Sequence, residues 1–382
     1  MFDAVGRSPA GYTMHAEESS QPCLKGRNRA RKSAFVGARG EYRLYELCIL
    51  VLESIKHGSG MVIKKVKRKV VKPLAAVIDI LMLGSLYLTR GLAYVLPSAF
   101  LYTIVTWCGY VLYYIVPGTR QRLFSIISEC MPELTDSEVR HVARSSFGEL
   151  LRPMVDFPVF ARHGDRIMEK MKVEGTENFD ELDALGKGVI IVTPHVGGWD
   201  VSIAIMAHLG YGLTPILINP SSTRILTPRA VRAVEALGVS LGTDNEITHI
   251  LTGKDSIRQA LELLKKGKRL ALTPDVEGKR VVELFGRPAA VADGTAQFAY
   301  DTGAAIIHGY VIRDKWGIPC RGIIREQIRY DLTGDRETDI TTIMQEVMKA
   351  IESEIRKMPD QYTQWGAIQM WWQKAEELQE RL

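Results

Sequence analysis

Cysteine is scarce in this chain, and none of it is spaced for chemistry. The five cysteines, Cys23, Cys48, Cys108, Cys130 and Cys320, are scattered along 382 residues with no CxxC pair and no histidine at metal-ligand spacing. This excludes a disulfide scaffold and a zinc site, predicts no metal and no cofactor, and fits a reducing compartment. No Ser or Cys sits in a G-x-S-x-G elbow, so chemistry through an acyl-enzyme is not expected. The first 30 residues lack the apolar core of a signal peptide and are polar and Arg-rich, as in a disordered tail or a start codon placed upstream of Met61. Internal repeats, low-complexity blocks and a nucleic-acid-binding module are also missing.

Charge is unevenly distributed. Residues 1–72 hold 15 Lys+Arg against 6 Asp+Glu, whereas the remaining 310 residues hold 34 against 38. The basic clusters Lys64-Lys65, Lys67-Arg68-Lys69 and Lys72 read either as a cationic collar beside anionic lipid or as an ordinary solvated charge run.

Between Arg90 and Arg120 there is no charge at all. The stretch 91–119 is nearly all apolar or aromatic, with Pro97 inside it. A helix opened by Pro97 and running to Val116 would have about 20 residues and reach about 30 Å, the thickness of a hydrocarbon core. The preceding apolar run, residues 74–88, contains Asp79 and is expected to lie along a surface or pack on that helix. Tyr94, Tyr102, Trp107, Tyr110, Tyr113 and Tyr114 suit an interface between lipid and water. The plainer alternative is a buried hairpin of a soluble protein.

From Pro132 onward the pattern is that of an α/β domain. Thr135 and Asp136 are placed to cap a helix through Val139, Val142, Phe147 and Leu150. Residues 188–193 (GVIIVT) form a continuous apolar run of the kind buried in a parallel sheet. Helices are expected at 201–209, 227–237 and 255–266, and strands at 213–218, 269–273, 304–312 and 322–328. Ile340, Ile343, Met344, Val347, Met348, Ile351, Ile355 and Met358 make an apolar helical stripe, expected to be core. Three regions result: a polar extension at 1–60, a basic collar with membrane-associated helices at 61–125, and one α/β domain at 126–382. The predicted fold is a mixed, mainly parallel sheet flanked by helices.

The sharpest local feature is Thr193-Pro194-His195-Val196-Gly197-Gly198-Trp199-Asp200, at the end of a buried strand, where open α/β sheets carry their chemistry. The glycine pair would let the backbone turn and bring Asp200 beneath the His195 imidazole. An Asp at Nδ1 would hold the tautomer and leave Nε2 as a general base for an acceptor hydroxyl. In the competing reading Asp200 favours a helix N-terminus and His195 is structural. A second cluster, Thr273-Pro274-Asp275-Val276-Glu277-Gly278-Lys279-Arg280, also follows a buried strand. Asp275 and Glu277 would suit sugar hydroxyls and Lys279 and Arg280 a phosphate, unless the segment is a solvated turn. Arg224, Arg229 and Arg232 would line an anionic pocket or form a charged helix face.

At these residues the chain resembles the late acyltransferases of bacterial lipid A biosynthesis and, more distantly, the mycobacterial phosphatidylinositol mannoside acyltransferases. The resemblance extends over about residues 85–375, beginning in the apolar stretch 92–97 and at Pro132-Glu133-Leu134-Thr135. It takes in the H-x4-D of His195 and Asp200, Pro274-Asp275-Val276-Glu277-Gly278, Leu284-Phe285-Gly286, the stretch 294–304 (GTAQFAYDTGA), and Pro359, Gln361, Tyr362 and Trp365. Glu277 stands where the family commonly has Asp, and Asp200 where Glu is more usual.

The resemblance implies a glycerolipid acyltransferase-like fold with its catalytic domain facing the cytoplasm from the bacterial inner membrane. It also implies an acyl carrier protein or coenzyme A thioester as donor and a membrane glycolipid as acceptor. His195 would be the base and Asp200 its partner, with Asp275, Glu277, Lys279, Arg280 and Arg232 toward the acceptor. A lipid or thioester hydrolase using water, and a membrane adaptor without catalysis, are the other readings.

Overall fold

The computed structural model describes residues 80, 83–84, 87–217 and 249–381. The extension at 1–60, the basic collar, most of the apolar run 74–88 and the expected helix at 227–237 lie outside the described residues.

The charge-free stretch forms helix α1, Ser98–Ile115, entered from Pro97 with φ −59°. Proline thus sits just ahead of the first turn, where its missing N–H costs the helix nothing. Helices α2 (Pro117–Cys130), α3 (Asp136–Leu151) and α4 (Pro153–Met168) follow. Thr135 caps α3 as expected, in a reciprocal pair: its hydroxyl accepts from the Glu138 N–H and its own N–H donates to the Glu138 carboxylate.

Helix α1 is two-faced. Leu101, Tyr102, Gly109 and Tyr113 are buried, whereas Phe100, Ile104, Trp107, Val111 and Tyr114 are exposed. The buried face lies along α3, and Gly109 lets the backbones touch: a Cβ there would stand 2.4 Å from the Phe147 carbonyl oxygen.

Among the described residues the central sheet has seven strands. They are β1 (Lys172–Glu174), β2 (Val189–Val192), β3 (Thr214–Leu217), β4 (Ile250–Leu251), β5 (Arg269–Leu272), β8 (Ala305–Arg313) and β9 (Pro319–Gln327), with β6 and β7 forming a separate hairpin described below. Their order is β1-β9-β8-β2-β5-β3-β4, parallel throughout except for the antiparallel β8–β9 pair. The expected mainly parallel α/β sheet is what forms. Val189, Ile190, Ile191 and Val192 are all buried, because a strand covered on both faces has no polar side to alternate with.

Helices α5 (Thr176–Ala184), α6 (Ser202–His208), α7 (Ser256–Lys265) and α8 (Gly294–Thr302) connect the strands. Helix α9, Arg336–Lys357, buries Ile340, Ile343, Met344, Val347, Met348, Ile351 and Ile355 completely, so the apolar stripe is core. Helix α10, Trp365–Gln379, adds Trp365 and Trp371 to the same core.

One element departs from the expected order. The segment after β5 enters an antiparallel hairpin, β6 (Glu277–Leu284) and β7 (Arg287–Val291), turning at Phe285 and Gly286 with φ of 53° and 73°. Glu277 and Arg280 both face Val291, so a bulge lies between them.

Candidate active site

Strands β2 and β5 are adjacent and parallel, with Val192 beside Leu272, and each runs into a Thr-Pro step. The register therefore carries His195 and Asp275 to the same level beyond the carboxyl end of the sheet. Asp275 Oδ1 lies 2.8 Å from His195 Nδ1, and Asp275 Oδ2 accepts the His195 backbone N–H at 2.9 Å. One carboxylate thus grips both the ring and the main chain of the same residue, which fixes the imidazole's rotation. Both groups are buried, His195 to 3% exposure and Asp275 to 0%. The Trp199 ring covers the imidazole, with centroids 4.5 Å apart.

The loop carrying His195 is held from several sides. The His195 carbonyl accepts from the Thr363 N–H at 3.1 Å and from its hydroxyl at 2.8 Å. The Gly197 N–H donates to the Gln361 carbonyl at 3.0 Å, and the Gly198 N–H to the Val311 carbonyl at 2.9 Å. Gly197 has φ 57°, and a Cβ on it would lie 2.0 Å from the Val311 oxygen, so only glycine fits.

Asp275 thus stands at Nδ1, the place that the H-x4-D spacing suggested for Asp200. Asp200 lies in a single 3-10 turn, Trp199–Val201, and its Oδ1 faces Arg313 Nη2 at 3.5 Å. The glycines do bend the chain, but the imidazole's partner is set by the neighbouring strand.

Arg313, at the end of β8, anchors a buried polar cluster. It reaches Asp156 with both terminal nitrogens, at 2.8 and 2.6 Å, and Glu149 through Nε at 3.3 Å. It also donates to the Gly197 carbonyl at 3.1 Å and the Gly317 carbonyl at 3.0 Å. Burial pushes the Glu149 carboxyl up to about 7, against the opposing pull of Arg152 and Arg313.

A family model for bacterial lipid A biosynthesis acyltransferases matches residues 64–372. The chain belongs to this family. Its relatives include the phosphatidylinositol mannoside acyltransferase of Mycolicibacterium smegmatis, 24% identical over 260 residues, which are 66% of this chain and 78% of that protein. The enzyme of the same name from Mycobacterium tuberculosis H37Rv is 25% identical over 173 residues, 43% of this chain and 50% of that one.

The acyltransferase places its remaining expected site residues as follows. Glu277 is half-buried at the start of β6, and Lys279 is exposed on the bulge. Arg280 turns toward the start of α9, donating to Glu337 at 3.0 Å, Thr341 at 3.2 Å and Asp293 at 3.2 Å. Arg224, Arg229 and Arg232 lie outside the described residues. The anchoring roles of Arg313, Gln361 and Thr363 were not anticipated, although Gln361 stands in the Pro-x-Gln-Tyr stretch that carries the family resemblance.

Proposed function

We propose that this acyltransferase moves a fatty acyl group from an acyl carrier protein or coenzyme A thioester to a hydroxyl of a membrane glycolipid, with His195 as general base. The observation that carries this reading is the buried His195–Asp275 pair at the carboxyl ends of two adjacent parallel strands. With Nδ1–H directed at Asp275, Nε2 bears the lone pair and takes the acceptor's proton as its oxygen attacks the thioester carbonyl. The tetrahedral intermediate then collapses with cleavage of the C–S bond, and the imidazolium returns the proton to the leaving sulfur. Asp275 stabilises the imidazolium between these steps, so no acyl-enzyme is required. Asp200 acts one step back, through Arg313. Glu277 and Lys279, on the strand that follows Asp275, face the acceptor, and Arg232, outside the described residues, is assigned to acceptor binding by the family resemblance alone.

The enzyme works at the bacterial inner membrane from the cytoplasmic side, and α1 meets the lipid lying in its plane. One face of α1 is committed to α3, which sets Arg144 over Tyr110 and Arg152 against Thr106 along it. A crossing α1 would drag those charges into hydrocarbon, at roughly 2.5–3.5 kcal/mol each. The opposite face, Phe100, Ile104, Trp107, Val111 and Tyr114, suits the headgroup and acyl boundary. Arg162 over Tyr94 and Arg144 over Tyr110 add cations near this helix for anionic lipid.

The test is transfer of label from acyl carrier protein and coenzyme A thioesters to vesicle-borne phosphatidylinositol mannosides and lipid A precursors, with His195→Ala alongside. Labelled glycolipid that depends on His195 is expected. Transfer persisting in His195→Ala would refute the mechanism, and label released only as free fatty acid would identify a hydrolase.

A further inference from the structure

Arg313 has a side chain 1% exposed at the end of a largely buried strand. Burying a guanidinium is costly unless it is paired, and here the two terminal nitrogens donate to Asp156 and to the carbonyls of Gly197 and Gly317, with the Glu149 carboxylate a charge partner 3.3 Å from Nε. Two of its contacts bear on the His195 loop. Nη2 donates to the Gly197 carbonyl at 3.1 Å and faces Asp200 Oδ1 at 3.5 Å. Gly197 is also the residue held in the left-handed region, so the direction of its carbonyl sets the path of the chain between His195 and Trp199.

The other side of the cluster belongs to α1. Tyr102, 1% exposed, donates its hydroxyl to Asp156 Oδ1 at 2.6 Å, and its ring lies 5.8 Å from the Arg313 guanidinium carbon. One turn on, Thr106 Oγ1 accepts from Arg152 Nε at 3.1 Å, and Arg152 in turn grips Glu149. The helix with the exposed apolar stripe is therefore joined to the His195 loop by a continuous chain of buried polar contacts: Tyr102, Asp156, Arg313, Gly197.

We propose that Arg313 is a positioning residue for His195, holding residues 197–200 through the Gly197 carbonyl and Asp200, and that Tyr102 makes the seating of α1 part of that hold. The proposal rests on the reading of His195 as the base. It explains why a buried cluster of three carboxylates and two arginines is built around one loop when apolar side chains would pack there at lower cost. A lysine at 313 has one point charge on a flexible stem and cannot span both Asp156 oxygens and the Gly197 carbonyl together.

The test uses the full chain labelled with 5-fluorotryptophan, in detergent and in phosphatidylglycerol vesicles. Trp199 reports the loop because its ring lies tilted against His195, with centroids 4.5 Å apart, and its fluorine resonance is assigned by its loss in Trp199→Phe. Arg313→Lys and Tyr102→Phe are compared with Arg321→Gln, a control in a surface pair with Glu174. The Trp199 resonance is expected to shift or broaden in the first two variants and stay in place in the control. Turnover is expected to fall in kcat by about tenfold or more for Arg313→Lys and about threefold for Tyr102→Phe, with KM within about twofold, as for a misplaced catalytic group.

An unmoved Trp199 resonance in both variants overturns the proposal, as does a rise in KM at constant kcat, which would make Arg313 a binding group. If Arg313→Lys does not fold, Tyr102→Phe decides the matter, since it removes a single hydroxyl. Turnover surviving in His195→Ala would refute the base while leaving the resonance test of Arg313 intact.

Discussion

His195 and Asp275 stand 80 residues apart in the chain and 2.8 Å apart in space, because β2 and β5 run parallel at that same constant offset. The contact follows from the sheet. Any change that leaves the sheet intact but alters the carboxylate should act on His195, through its ring and its backbone N–H.

Asp275→Asn is accordingly expected to lower kcat by about 10²–10⁴-fold, because an amide can present a donor to Nδ1 and favour the wrong tautomer. Asp200→Asn, acting through Arg313, is expected to cost less, about tenfold. Steady-state kinetics on both variants check the ranking. A larger loss in Asp200→Asn would restore Asp200 as the direct partner.

That pairing was partly visible beforehand. The two strands continue as Thr193-Pro194-His195 and Thr273-Pro274-Asp275, a repeated Thr-Pro step ending in a base and an acid. Local spacing pointed instead to Asp200, because an H-x4-D motif invites an intrachain explanation while strand register is non-local. Strands β2, β8 and β9 were legible from their Val and Ile pairs and runs, β5 from the apolar Leu-Ala-Leu, and α9 from its stripe, since buried elements leave periodic or continuous apolar signals. The β6–β7 hairpin was not: β6 is largely polar, and its Phe285-Gly286 turn lacks the usual Asn-Gly or Asp-Gly pair. Arg313 left no mark either, because nothing in a strand's pattern distinguishes a buried terminal arginine from a solvated one.

Gly197→Ala tests the loop's backbone. An alanine there would combine φ 57° with a Cβ 2.0 Å from the Val311 oxygen, whereas Gly303→Ala shares the left-handed backbone, φ 70°, with nothing within 4 Å. Gly303→Ala is expected to cost about 1–2 kcal/mol, the left-handed penalty alone. Gly197→Ala should exceed it, at about 3 kcal/mol or more, with loss of turnover. Chemical denaturation of both variants checks the difference, and equal costs would mean that the loop yields.

Glu149 ties stability to pH. Burial raises its carboxyl to about 7 in the folded state from 4.5, so the folded protein holds this proton more tightly than the unfolded chain. Its contribution is fully present below about 4.5 and is lost as pH rises through about 7, a total on the order of 3 kcal/mol. Glu149→Gln cannot titrate. The stability of the variant relative to the native chain should therefore rise between pH 5 and pH 8, measured by denaturant unfolding at each pH. A difference that stays flat across that range would mean Glu149 remains ionised beside Arg152 and Arg313.

The orientation of α1 is open to a direct measurement of depth. Phe100, Ile104, Trp107, Val111 and Tyr114 recur every three or four residues on the exposed face of α1, opposite Leu101, Tyr102, Gly109 and Tyr113. In-plane insertion requires all five positions to sit at one depth. A crossing helix would spread positions 100 and 114 over about 20 Å along the bilayer normal, at 1.5 Å per residue. Spin labels placed singly at 100, 104, 107, 111 and 114, in phosphatidylglycerol vesicles, report depth through the balance of oxygen and nickel collisions. A common depth within about 5 Å is expected, near the headgroup boundary. A monotonic gradient from 100 to 114 would show that α1 crosses, and would require α3 to separate from it, because the charges on α3 cannot follow.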